Sequence, residues 1–255
     1  MLSNDYEKYL NMVSENRIDE ATDFRREIMP KYIYKFYPVY SKTGRGKIDK
    51  RTFNTLKEDK IWCGKIEHFN DPYEGIGYYL KDLECEMEMR LADCLRIASF
   101  TENAASNISM WAYYANNHKG FCVKYEVENN QYLYDVNYIE NRQSQKELFL
   151  KAVRKNNKGQ STDKEKLLIY EKYLTKHISW SNEREYRIIF ATESDKEKGR
   201  TVTCEKLGLK PIKIYAGINC SNEAKRMLNS ISLQLGCGEL SECSISDNEF
   251  KLINE

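Results

Sequence analysis

The densest run of groups able to do chemistry is Trp180-Ser181-Asn182-Glu183-Arg184-Glu185-Tyr186-Arg187, which leads directly into Ile188-Ile189-Phe190. Period-two alternation predicts Glu183, Glu185, Arg187 and Ile189 on one strand face, with Tyr186, Ile188 and Phe190 on the other. Two carboxylates and a guanidinium then share a face that runs toward the interior. A carboxylate presented in that way acts as a base or stabilises developing positive charge. A solvated edge strand accounts for the same pattern.

A second group is Met110-Trp111-Ala112-Tyr113-Tyr114 followed by His118-Lys119-Gly120. Trp111 and Tyr114 have the spacing of an amphipathic helix stripe, which is ordinarily core. The polar Asn-Asn-His-Lys-Gly tail is unlike core, and aromatic faces beside a cation suit a flat, anionic ligand. The third group, Phe69-Asn70-Asp71-Pro72-Tyr73-Glu74, is turn chemistry: Asn70 and Asp71 serve the backbone, or fix polar groups at the lip of a cleft. Lys35 stands between Tyr34 and Phe36 in an early aromatic strand, either as a snorkelling edge residue or as a cation in a cleft.

The chain that must position these residues has 255 of them, with 40 Lys+Arg against 39 Asp+Glu. This balance excludes a uniformly basic nucleic-acid coat and an acidic solvating tail. Aromatic residues at 12% set the composition apart from disordered chains. The N-terminus has no apolar signal region, and no stretch approaches the roughly 18 apolar residues of a membrane span, so a soluble cytoplasmic protein without a membrane partner is expected. Eight cysteines, at 63, 85, 94, 122, 204, 220, 237 and 243, contain no CxxC pair. They read as small buried hydrophobes, with no metal site expected.

The charge is unevenly distributed. Residues 5–28 carry seven acids against four bases at helical spacing, an amphipathic helix or helix pair ended by Pro30. Residues 141–187 carry twelve bases against six acids, an excess suited to phosphates or to a solvated helical face. The periodicities predict strands at 32–40, KIWCGK, IASFT, 121–127, 185–192, 201–207 and 210–217, and two edge strands near the C-terminus. Helices are predicted near 49–59, 77–96, 110–117, 144–156, 162–177 and 221–235. The fold class expected is α+β, with a mixed or antiparallel central sheet and flanking helices. Residues 1–30 read as an acidic helical segment and 31–255 as a single α+β domain.

The motifs resemble, in content and order, the bacterial family known as domain of unknown function 2971. They stand at 35–37, 56–62, 69–74 (Phe-Asn-Asp-Pro-Tyr-Glu), 99–102 (Ser-Phe-Thr-Glu), 110–122 (Met-Trp to His-Lys-Gly-Phe-Cys) and 180–187 (Trp-x-x-Glu-x-Glu-Tyr-Arg). The resemblance spans about residues 32–235. A more distant likeness, in overall plan, is to the ADP-ribosyltransferases: a polar anchor on an early strand and a Glu-x-Glu opening a late one.

That likeness implies an NAD-dependent mono-ADP-ribosyltransferase of toxin or phage-defence type, acting on nucleic acid (RNA or DNA) or protein. Glu185 would be catalytic and Glu183 would orient the acceptor. NAD would be held among Lys35, Tyr37, Asn70, Asp71, Trp111, Tyr114, His118, Lys119 and Arg187. Lys151, Arg154 and Lys155 would meet a nucleic-acid acceptor, and the acidic first helix would meet an antitoxin or chaperone. The alternatives are a non-enzymatic nucleotide or nucleic-acid binding module, and a metal-dependent nuclease using Asp71, Glu74 and the Glu pair.

Overall fold

The computed structural model describes residues 3–41, 47–66, 69, 71, 73, 94–102, 105–140, 167, 170, 171, 173–193, 196–247 and 252–254. Residues 77–93 of the helix expected at 77–96, the helix expected at 144–156, most of that at 162–177, and Lys151, Arg154 and Lys155 lie outside them; Leu95 and Arg96, expected to end a helix, open a strand instead. The chain divides into two units, and β2 (Lys60–Gly64), β3 (Leu95–Thr101) and β9 (Gly199–Thr203) contribute residues to both.

One unit comprises Met1–Met29, Cys63–Ala98 and Asn130–Arg200, so the acidic N-terminal residues pack within it. They form α1 (Ser3–Ser14) and α2 (Ile18–Glu27), separated where Asn16 takes a left-handed φ of 64°. Tyr6, Tyr9, Leu10, Val13 and Ala21 build a core with Leu167, against which Tyr134 packs. β5 (Leu133–Asp135) pairs antiparallel with β8 (Glu185–Ala191), and β6 (Asn137–Ile139) pairs parallel with β7 (Thr175–His177). Residues 175–177, expected as the end of a helix, are thus a strand. Pairing with Asn137–Ile139, distant in sequence, satisfies their backbone in a way that local periodicity does not register.

The second unit comprises Pro30–Trp62, Ser99–Asn129 and Thr201–Glu255. Its centre is β4 (Phe121–Val127), flanked antiparallel by β1 (Tyr32–Tyr37) and β10 (Leu209–Ala216). β11 (Ser241–Ile245) adds parallel to β10, β12 (Leu252–Asn254) adds antiparallel to β11, and Tyr34 of β1 faces Thr101 of β3. The fold is therefore α+β, with a mixed, mostly antiparallel sheet.

Register assigns the side chains of this second sheet to two faces. Ile33, Val123, Tyr125, Phe121 and Ile214 are buried on the face that includes Lys35 and Tyr37. There Phe121 packs against Phe53 of α3 (Lys50–Lys57). On the opposite face Phe36 and Cys122 are covered by α4 (Ile108–Tyr114), whose Trp111 meets Phe36 edge-on at 5.0 Å.

Helix starts follow the side-chain chemistry of their caps. Asp49 caps α3, Asn107 accepts from the backbone of Ser109 and Met110 at α4, and Ser221 accepts from Ala224 at α5 (Asn222–Gln234). Ser221→Ala is expected to lower stability by about 1 kcal/mol, read as a shift in urea midpoint at constant slope. The strand expected at 201–207 ends at Thr203, and residues 205–207 turn as a 3-10 helix closed by Gly208 at φ 72°.

Six cysteines (63, 122, 204, 220, 237 and 243) are buried free thiols and Cys94 is half-buried; Cys85 lies outside the described residues. No described helix is long and apolar enough to cross a membrane.

Candidate functional site

Glu183 and Glu185 do meet, although not by strand alternation. Ile178–Glu183 is a 3-10 helix, Arg184 reverses the chain at φ 42°, and β8 starts only at Glu185. This corrects the expectation that both glutamates occupy one strand. A single left-handed residue between them turns the two carboxylates toward a common partner, Lys176 of β7. The Lys176 ammonium donates to Glu183 at 2.7 Å and to Glu185 at 3.0 Å. Arg187 holds Glu185 in a two-pronged contact, its Nε 2.7 Å from Oε1 and an Nη 2.9 Å from Oε2, and also donates to the Tyr173 carbonyl.

All four side chains are buried, at 5% exposure or less. Two carboxylates and two cations cancel in charge, which is what burial of ions demands. Above the cluster the 3-10 turn is largely exposed, and Trp180 lies 5.0 Å from the Lys176 ammonium. Tyr138 accepts the backbone N–H of Glu185 at 2.7 Å, and burial raises its hydroxyl pKa.

A second ionic centre in this unit went unnoticed in the sequence. Arg25 of α2, fully buried, donates to Asp135 and Glu171 at 3.0 Å each and to the Asp135 carbonyl at 2.9 Å. Its guanidinium lies between the rings of Tyr9 and Tyr134, at 4.8 and 5.0 Å. Tyr6 donates to Glu171 at 2.8 Å. A cavity of about 420 Å³, lined in part by Tyr9, Arg25, Asn130 and Tyr134, opens beside it.

Burial would raise the Asp135 carboxyl, but the charge of Arg25 acting with smaller charge and hydrogen-bond contributions holds it below its usual range; at Glu171 burial prevails over Arg25 and the value is raised. The stabilisation from Asp135 is therefore present above its unfolded pKa of about 4 and lost as pH falls. Glu171 costs stability above its own unfolded value and relieves that cost on acidification.

In the other unit Lys35 is half-buried, its ammonium 2.8 Å from the Ser99 carbonyl and above the rings of Phe100 and Tyr37 at 5.1 and 5.7 Å. Tyr37 and Tyr125 share a hydroxyl hydrogen bond of 2.9 Å. Trp111 is fully buried on the opposite sheet face, its indole N–H donated to the Ala105 carbonyl, and Tyr114 is half-buried beside the same cluster. The fold thus brings Lys35 together with Tyr37 and Trp111 together with Tyr114, but sets the two pairs on opposite faces.

After α4, Asn116, Asn117 and His118 are three successive left-handed residues, at φ 49°, 53° and 65°. The His118 carbonyl accepts from Asn219, and its Nδ1 is buried without a hydrogen-bond partner; burial lowers the pKa of the ring. Lys119 is exposed. Gly120 is fixed by space: a Cβ there would stand 2.2 Å from the Tyr37 carbonyl oxygen. Gly120→Ala is expected to cost at least about 1–3 kcal/mol, seen as a lower melting temperature with no change in urea slope.

Asp71 is buried and accepts from the Tyr73 N–H at 2.9 Å, the local turn bond that the sequence suggests; Asn70 and Glu74 lie outside the described residues. One signal identifies part of what was missed. Arg25 sits in the inward stripe of a helical pattern, where an unpartnered charge does not belong, so its burial called for acids elsewhere. Lys176 has no comparable signal, because the helical reading of 162–177 hid it among exposed bases.

Residues 110–188 match the model of the family described as Protein of unknown function (DUF2971), which supports the resemblance through the motifs at 110–122 and 180–187. The match includes most of α4, the left-handed run and the Glu183–Arg187 cluster. No curated protein and no solved structure matches the chain.

Proposed function

We propose that the protein is an NAD-dependent mono-ADP-ribosyltransferase acting in the cytoplasm on nucleic acid or protein, in a toxin or phage-defence role. The observation that carries this reading is the Glu183–Glu185 pair, oriented by Lys176 and Arg187 beneath one exposed turn. Loss of nicotinamide leaves positive charge on the ribose, and a carboxylate already oriented in a dry site stabilises it without reorganisation. Glu185, fixed on both oxygens, takes that role, and Glu183 orients the acceptor.

Trp111, sealed in the core, serves packing. The experiment is incubation of the purified chain with labelled NAD and total RNA, DNA or lysate. Nicotinamide release with label transfer is expected; the absence of both overturns the proposal.

A further inference from the structure

The sheet of the second unit has a half-open face whose composition the transferase reading leaves unused. Register places Tyr32 opposite Glu126, Tyr34 opposite Lys124, Lys210 opposite Glu126, Lys213 opposite Lys124 and Tyr215 opposite Cys122, so all point the same way from β1, β4 and β10. At one end this face is covered by α4, where Tyr34 and Tyr215 pack against the Trp111 cluster. Beyond that cover Tyr32, Lys124 and Lys213 are half-buried and Lys210 is exposed, while Tyr34, at the edge of the cover, is half-buried too.

The lysines rest on aromatic rings. The Lys124 ammonium is 4.1 Å from the Tyr32 ring centre and 5.9 Å from that of Tyr34. Lys31 is 5.2 Å from the Tyr32 ring and 3.6 Å from Glu126. Among the described residues of this face, four lysines, Lys31, Lys124, Lys210 and Lys213, thus stand against one acid, Glu126.

We infer that this face binds single-stranded nucleic acid, with bases stacked on Tyr32 and Tyr34 and phosphates at the surrounding lysines. The two rings are two residues apart on one strand, a separation of about 6.5–7 Å that accommodates successive unstacked bases. Lysine is a long, rotatable cation, so a phosphate draws its ammonium from the ring and frees the π-face for a base. A duplex keeps its bases inside and cannot use the rings, so charge complementarity and flat aromatics together select single strands. This inference concerns binding and does not depend on transferase activity.

The test is fluorescence anisotropy of the full chain with labelled 12-residue oligo-U and oligo-dT, against a duplex of equal length and polyglutamate. Single strands are expected to bind more tightly than the duplex and not to be displaced by polyglutamate. Tyr32→Ala is expected to weaken binding about five- to 100-fold, while Tyr32→Phe retains it. Replacing Lys124, Lys210 and Lys213 together by Gln is expected to reduce the slope of log K against log salt by about 2. Thermal unfolding of each variant reads out folding, and the exposed Lys210→Gln alone, expected to lower the slope by about 0.7, serves if Tyr32→Ala does not fold. Equal binding of duplex or polyglutamate, no binding at low salt, or an unchanged slope in the lysine variants overturns the inference.

Discussion

Arg25→Met is expected to destabilise the chain by about 3–5 kcal/mol, because it removes the guanidinium that two buried carboxylates, Asp135 and Glu171, share. Arg25 is itself only 3% exposed, and its contacts include two carboxylates, one carbonyl and two tyrosine rings. At roughly 2–4 °C per kcal/mol for a chain of this size, the melting temperature should fall by roughly 6–20 °C. Asp135→Asn combined with Arg25→Met should cost less than the sum of the two single changes, since the pair couples directly. An unchanged melting temperature for Arg25→Met would show that the pairing contributes nothing. The acidic N-terminal helices therefore have a role beyond their exposed charge: they deliver the cation that closes this centre.

The largest expected effect on activity is at Glu185. Glu185→Gln preserves shape but removes the negative charge, and nicotinamide release should fall about 10²–10³-fold, the range for losing one preorganised electrostatic group. The change also unbalances a buried cluster, so stability must be measured alongside, and rates taken well below the melting temperature. Glu183→Gln separates structure from chemistry. It removes a charge from the same Lys176 partner, yet on the proposed roles it should retain nicotinamide release while losing label transfer to the acceptor. If the two variants lose stability equally and lose both activities in parallel, the cluster is structural and the assignment fails.

The sequence reading of Glu183 and Glu185 reached the right neighbourhood by an incomplete route. Alternation predicted a common face, whereas the carboxylates converge because Arg184 turns left-handed and Lys176 draws them together. Trp111 shows the converse. Its helical stripe was legible as core, and its place opposite Lys35 is decided by the register of β1 on β4.

What the sequence determined by itself was local: the aromatic strands, the helix starts at Asp49 and Ser221, the Asp71 turn and six of the cysteines as buried thiols. These depend on backbone sterics, short-range hydrogen bonds and apolar periodicity, all of which are written in adjacent residues. Tertiary structure decided which charges are buried and with whom. Arg25 finds Asp135 and Glu171, and Lys176 finds the Glu pair, because burying an ion is tolerable only when a counter-ion is delivered from elsewhere in the fold. Such pairings depend on chain topology and have no period for a sequence to display.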